Sequence, residues 1–526
     1  MRRRHSWFLR SMLLLYLVGM LALGMGVAML PSLFLALIDD GIDIGAFLYS
    51  TGLAIGLGIF CVLLGRGWAK QVTVGHREGF LIVGTGWLFA SLLGAIPYWF
   101  TALMSPETPC ASLQAVIRPM AADFCSFSHA VFESVSGFTT TGATVISDGL
   151  WGETMKTPDG RIGLPRGLLL WRAMTQYLGG MGIIVLGVAV LPLLGVGGMQ
   201  LFKAEVPGPT SEKFAPRVGE TAKLLWKVYL VLSAILFVLY SAGGMDSFDA
   251  LCHTMTTMAT GGFSTRVESM GGFQSAYLET VCIVFMVISG INFTLHFVAL
   301  RGRKSIYFRD LEWWTYISLG LVGTIVVAGA LLIASEEPLS WRTLRMACFQ
   351  VVSIMTTTGY TSVDYEQWTA APAAILVLIC LMVTGGMAGS TSGGFKVVRH
   401  ILLVRVWIRE LFYLVHPHSL RPIRMGGRVI SDEVIRAVSA FAGAYIALLA
   451  LGTVFFCFDG QTVETAFAAS VSSLGNVGPA WAEVGPSDHF GVLSPMSLWV
   501  SSLLMILGRL EIFTILVLLS PTFWRR

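Results

Sequence analysis

The chain alternates long apolar runs with short polar joints. Runs long enough to cross about 30 Å of hydrocarbon fall at residues 12–38, 44–64, 80–103, 168–194, 224–240, 277–300, 313–333, 372–404, 435–458 and 495–519. Each predicts a membrane-crossing helix, ten in all. Between runs three and four, five and six, seven and eight, and nine and ten, the joint is longer and semi-polar, rich in Gly, Ser and Thr.

Composition agrees with this pattern. Of 526 residues 55% are hydrophobic and 13% charged, with a mean hydropathy of +0.73. A soluble chain of this size needs more charge to cover its surface, so the sequence reads as an all-α polytopic membrane protein. A net charge of +4 without long basic runs gives no reason to expect nucleic-acid binding. The first run is too long for a cleaved leader and lacks a small-x-small site, so it reads as a first span that is retained. With the N-terminus inside, 26 of the 35 basic residues fall on the inner side and eight outside, while Arg509 lies within the last run. This bias predicts that both termini are cytoplasmic. The eight cysteines show no C-x-x-C spacing. Most read as small packing residues, while Cys110 and Cys125 share one outer segment, where a disulfide between them is open.

The four semi-polar joints align with one another. They read SGFTTTGAT (136–144), TTMATGGFS (256–264), SIMTTTGYT (353–361) and SSLGNVGPA (472–480), with a glycine always in seventh place: Gly142, Gly262, Gly359 and Gly478. The intervals between these glycines are 120, 97 and 119 residues. A half-helix is predicted before each, at 128–136, 248–256, 344–353 and 464–471. One such patch would read as ordinary helix packing, but four in register predict a pseudo-fourfold helix–pore-loop–helix repeat with four re-entrant loops. The units are 71–200, 201–304, 305–410 and 411–526, with two extra helices in 1–70.

Non-helical backbone at membrane depth is tolerated only where it is buried in protein or lines an aqueous cavity. Four glycine-centred loops around one axis would turn carbonyl oxygens inward and replace a cation's lost hydration shell. Half-helices aimed at the axis by their C-termini add negative dipole ends. The four nonapeptides contain no Asp or Glu, which argues against a divalent cation and for a large monovalent one. The expected cation ligands are Thr140, Thr141 and Gly142; Thr260, Gly261 and Gly262; Thr357, Thr358 and Gly359; and Asn476, Val477 and Gly478.

These loops resemble those of the TrkH/TrkG/KtrB superfamily of potassium-translocating subunits. So do the stretches FKAEVPGPTSEKFAPRVGETAKLLWKVY (202–229), GINFTLHF (290–297), TGGMAGSTSGGFKVVR (384–399) and GRVISDEVI (427–435). The two extra N-terminal spans make the likeness closer to the Trk type than to the eight-span Ktr type. The resemblance implies potassium uptake across a bacterial inner membrane, no cofactor, K⁺ as the transported ion, a homodimer, and a cytosolic TrkA-like ring of nucleotide-binding regulatory subunits. The second and fourth loops depart from TTG, so four unlike walls leave the sharpness of discrimination open.

The glycine-rich stretch Gly385, Gly386, Gly389, Ser390, Thr391, Ser392, Gly393 and Gly394 interrupts the eighth run. It lacks the Lys that a phosphate-binding loop needs after its last glycine. It reads either as a packing kink or as a flexible constriction beneath the filter, and the resemblance makes it the gating loop. Arg509 costs about 2.5–3.5 kcal/mol to bury, so it needs a partner: Glu511, or the pore beside that loop. His416 and His418 lack a third ligand for a metal. The basic stretch 399–436 reads as an orientation signal or a docking surface. No nucleophile–base pair or metal-ligand set appears in the spans, so no enzyme is expected. The rival readings are a Ktr-type sodium-coupled symport subunit and an unrelated secondary transporter with broken helices.

Overall fold

A helix satisfies all its backbone donors and acceptors within one segment, which is what a lipid-crossing chain needs. The computed structural model describes residues 2–69, 76–104, 122–146, 163–189, 218–335 and 340–524. Cys110 and residues 202–217 of the resemblance therefore lie outside the described residues.

The first two helices, α1 (Arg2–Ile38) and α2 (Ile44–Ala69), form an antiparallel hairpin. They meet along a seam of small residues, where Gly19 faces Cys61 and Val62, and Gly58 faces Leu23. The rest of the chain follows one plan four times. First come α3 (His76–Met104), the short α4 (Phe127–Phe138) and α5 (Arg166–Ala189). Next are α6 (Val218–Ala242), the short α7 (Ser247–Met258) and the pair α8 (Ala276–Ser289) and α9 (Phe293–Leu300). After the single turn α10 (Ile306–Arg309) come α11 (Leu311–Ser335), the short α12 (Trp341–Met355), α13 (Pro372–Thr384) and α14 (Val397–Val415). Last are α15 (Asp432–Phe458), the short α16 (Val463–Gly475), α17 (Pro495–Arg509), α18 (Phe513–Leu519) and the terminal turn α19 (Pro521–Trp524). A two-stranded ribbon pairs Arg424–Met425 with Arg428–Val429 on the stretch before α15.

The four short helices have 12, 12, 15 and 13 residues. At 1.5 Å per residue they reach about 18–23 Å, less than a bilayer core. Each sits where the half-helix was expected, extended by one to four residues at each end. Side-chain caps start three of them: Asp246 accepts from the Phe248 amide, Ser340 from Thr343 and Thr462 from Thr465. They are buried on nearly all sides, whereas the long helices carry exposed Phe60, Val238, Ile325 and Leu451 on their outer faces, as a lipid-facing surface requires.

Six of the described helices are long and apolar enough to cross a membrane, and eight if each of two bent pairs counts as one span. Two runs read as continuous are in fact broken. α8 and α9 bend by 98° and α17 and α18 by 117°. The first break falls at Gly290–Asn292, where the Asn292 side chain accepts from Thr294 N at 2.8 Å and starts a new helix. The second holds Glu511 and Ile512 at φ +57° and +50°, a conformation that no helix continues through.

Candidate functional site

Each short helix ends in the same way. The sixth residue of each nonapeptide donates its amide to the carbonyl five residues back. The pairs are Thr141 to Ser136 (2.9 Å), Gly261 to Thr256 (2.9 Å), Thr358 to Ser353 (2.9 Å) and Val477 to Ser472 (3.1 Å). This closure needs a left-handed residue just before it, and Thr140, Thr260, Thr357 and Asn476 occupy that place at φ +52°, +52°, +57° and +55°. A β-branched residue rarely adopts that conformation, so the surrounding contacts must hold three threonines in it.

Two residues on, Gly142, Gly262, Gly359 and Gly478 also have positive φ. A Cβ at Gly142 would come within 3.0 Å of the Gly261 carbonyl oxygen. The same holds for Gly262 against Thr358, Gly359 against Val477, and Gly478 against Thr141. Each glycine meets the next segment's carbonyl and the fourth meets the first, so the four segments close a ring.

The ring is braced from behind. Ser136 Oγ donates to the Ala143 carbonyl at 2.6 Å, Ser353 Oγ to Tyr360 at 2.6 Å and Ser472 Oγ to Gly478 at 2.5 Å. Thr139 and Thr141 share a hydroxyl contact of 2.8 Å, and Thr356 and Thr358 another of 2.8 Å. In the fourth segment Asn476 Nδ2 donates to Thr141 Oγ1 at 3.0 Å and to the Met505 carbonyl at 2.9 Å.

On one side the four glycines floor a cavity of about 420 Å³, whose walls include Arg172, Arg266, Glu268, Asp364 and Asp488. Next to the lining residue Gly485, burial and then the nearby Asp488 and Asp364 carboxylates push the Glu366 carboxyl up to about 7.

On the other side lies the glycine-rich stretch. Gly385, Gly389 and Gly394 take positive φ, and the stretch breaks the helix between α13 and α14 as expected. Gly393 N donates to Thr357 Oγ1 at 2.6 Å. Thr391 Oγ1 donates to the carbonyls of Met258 and Ser289, both at 3.1 Å. Ser390 Oγ turns back to Met387 at 2.6 Å, Gly386 abuts Ser392, and Lys396 Nζ donates to the Ser392 carbonyl. Arg509 is 2% exposed, and its Nη1 donates to the Thr391 carbonyl at 2.7 Å. Of its two expected partners the loop is therefore the one present. Glu511 instead pairs with Arg399 at 2.7 Å. Arg399, the first residue of the basic stretch 399–436, is thus 4% exposed and already paired within the protein.

Sequence reasoning missed a buried ion pair behind the ring, Arg172 to Glu133 at 2.7 Å. Glu133 also accepts from the Val145 amide at 3.1 Å, and Arg172 Nη1 donates to the Ser264 carbonyl at 3.2 Å. The signal was present: one charge inside an apolar half-helix and one inside an apolar span each require a partner. His416 and His418 are exposed. Cys125 is disulfide-bonded.

A mostly helical, multi-pass membrane protein with a ring of backbone carbonyls between a cavity and a buried loop belongs to the class that moves solutes across bilayers. Residues 58–526 match the family model TrkH, described as cation transport protein, and the chain belongs to that family. It is 38% identical to the Trk system potassium uptake protein TrkH of Halomonas elongata, over 98% of this chain and 99% of that one. It is 37% identical to the protein of the same name from Escherichia coli, over 97% and 98%. The crystal structure of the potassium transporter TrkH from Vibrio parahaemolyticus superposes with a TM-score of 0.83 at 34% identity, covering 98% of this chain and 100% of that one. The family is one of transport proteins, not enzymes.

Proposed function

We propose that the chain takes up K⁺ across a bacterial inner membrane through the closed ring of four segments. The observation that carries this reading is the ring itself, in which each segment's glycine abuts the next segment's carbonyl. Among the described residues its segments offer neutral oxygens, from backbone carbonyls, threonine hydroxyls and the Asn476 amide, and no carboxylate, the donor set suited to a monovalent cation that dehydrates cheaply. Thr140 Oγ1 is buried with no protein partner among the described residues, so it is free to face an ion. K⁺ sheds water at the oxygens of Thr140–Gly142, Thr260–Gly262, Thr357–Gly359 and Asn476–Gly478.

In this reading the four units are pore repeats, the loops enter from the outer side, ten crossings place both termini in the cytoplasm, and the protein works as a homodimer. The stretch from Gly385 to Gly394 gates the path beneath the ring. Arg509 lies beside it as a positive charge that raises the barrier to cations until the loop moves. A cytosolic nucleotide-binding ring would act on that loop. The similarity to potassium uptake proteins over nearly the whole chain supports the choice of ion.

The test is ⁸⁶Rb⁺ uptake into liposomes holding the purified protein, with Na⁺ and proton gradients varied separately and regulator and nucleotide supplied. Uptake blocked by excess K⁺ is expected. Absence of Rb⁺ flux under every gradient would overturn the reading, and strict dependence on Na⁺ would favour the sodium-coupled alternative.

A further inference from the structure

The four segments do not all anchor their sixth residue in the same way. In segments one and three that residue is a threonine, and its hydroxyl reaches Thr139 or Thr356, which in turn donates to Val135 or Val352 at 2.7 Å. Segment two has Ala259 and Gly261 in these places, so it carries neither hydroxyl.

The gap is filled from another part of the chain. Gln176, fully buried on α5, donates Nε2 to the Gly261 carbonyl at 2.6 Å. Its Oε1 accepts from the Phe263 amide at 3.1 Å. A Cβ on Gly261 would fall within 3.0 Å of the Gln176 amide group. Gly261 is not among the residues with positive φ, so its backbone would accept a side chain. The amide excludes one. One helical turn earlier, Arg172 holds the exit of the same segment through Ser264.

This makes the ring uneven. No amide or side chain among the described residues donates to the carbonyls of Thr141, Thr358 or Val477, while the Gly261 oxygen carries a short hydrogen bond. A carbonyl that already accepts a donor offers a cation less negative potential than its three neighbours. Removing the donor frees that oxygen and loosens the segment. A stronger field favours the smaller ion, and a looser wall loses its fit to the larger one.

We propose that Gln176 is a positioning residue that sets ion selectivity by holding the Gly261 carbonyl in place of the missing threonine. This inference rests on the reading of the ring as a K⁺ path, and its failure can be told apart from failure of that reading. If the unaltered protein carries no Rb⁺, the function is wrong; if it does, the variants judge Gln176 alone.

The experiment compares K⁺ and Na⁺ as competitors of ⁸⁶Rb⁺ uptake in proteoliposomes for Gln176→Leu, Gly261→Thr and the double variant Gln176→Ala/Gly261→Thr. Loss of a net hydrogen bond predicts about a five- to tenfold fall in K⁺-over-Na⁺ preference for Gln176→Leu. Gly261→Thr alone is expected to abolish uptake, and the double variant to recover it, because the shortened side chain vacates the space that threonine needs. Wild-type preference in a transporting Gln176→Leu protein would overturn the inference. So would a double variant as inactive as Gly261→Thr, and this arm decides the matter if Gln176→Leu does not fold.

Discussion

Arg509 Nη1 donates to the carbonyl oxygen of Thr391 at 2.7 Å, joining residues 118 positions apart. The bond ties the end of α17 to the middle of the glycine-rich stretch. Beside it, Arg399 and Glu511 join the start of α14 to the linker after α17. Within the stretch itself Arg509 holds the Thr391 carbonyl and Lys396 the Ser392 carbonyl, on a backbone whose glycines permit movement.

If that bond keeps the path shut, Arg509→Ala should raise basal ⁸⁶Rb⁺ flux. A hydrogen bond from a charged group contributes about 1.5–3 kcal/mol, so opening should shift by about tenfold or more. The measurement is uptake without regulator or nucleotide. A fall in flux, with the protein still monodisperse, would assign Arg509 a structural role instead.

Gly359 has φ +78° and no room for a Cβ beside the Val477 carbonyl. Gly359→Asp should therefore either abolish uptake or erase the preference for K⁺ over Na⁺. Competition assays on the purified variant read both outcomes. Unchanged preference would count against the ring as the ion path.

Arg172→Ala would leave Glu133, fully buried, without its cation. Breaking one side of a buried pair costs about 3–5 kcal/mol, so the thermal unfolding midpoint in detergent should drop sharply. Replacing both residues, Glu133→Gln with Arg172→Met, should cost less than Arg172→Ala alone. Equal losses would show that the pair is not what stabilises this corner.

Glu366 gives a pH signature. Its carboxyl is raised from 4.5 to about 7 in the folded chain, so the folded state holds a proton that the unfolded state releases first. Its favourable contribution is full below pH 4.5, declines as pH rises and is gone above about 7. Glu366→Gln should flatten the thermal stability of the protein across that window. A variant with the same slope as the parent would point to other groups. The group is part-exposed, so the effect is modest.

The sequence alone determined the class of protein and where the four short helices and their glycine-centred segments fall along the chain. These are carried by local and periodic signals: apolar run length, the glycine in seventh place, and the small polar residues around it. Each short helix followed its own pattern of apolar positions and stops, and the broken eighth run was legible because glycines mark it. Only the tertiary structure decided what those residues touch. Closure of the ring rests on glycine–carbonyl approaches between segments about a hundred residues apart, and no local pattern encodes them. The bends at Gly290–Asn292 and Leu510–Ile512 escaped notice because an apolar run reads the same whether its helix is straight or broken. The partners of Glu133, Arg399, Glu511 and Gln176 stayed hidden for a related reason. A buried charge or amide announces that it needs a partner, but which distant residue supplies it depends on how the helices pack.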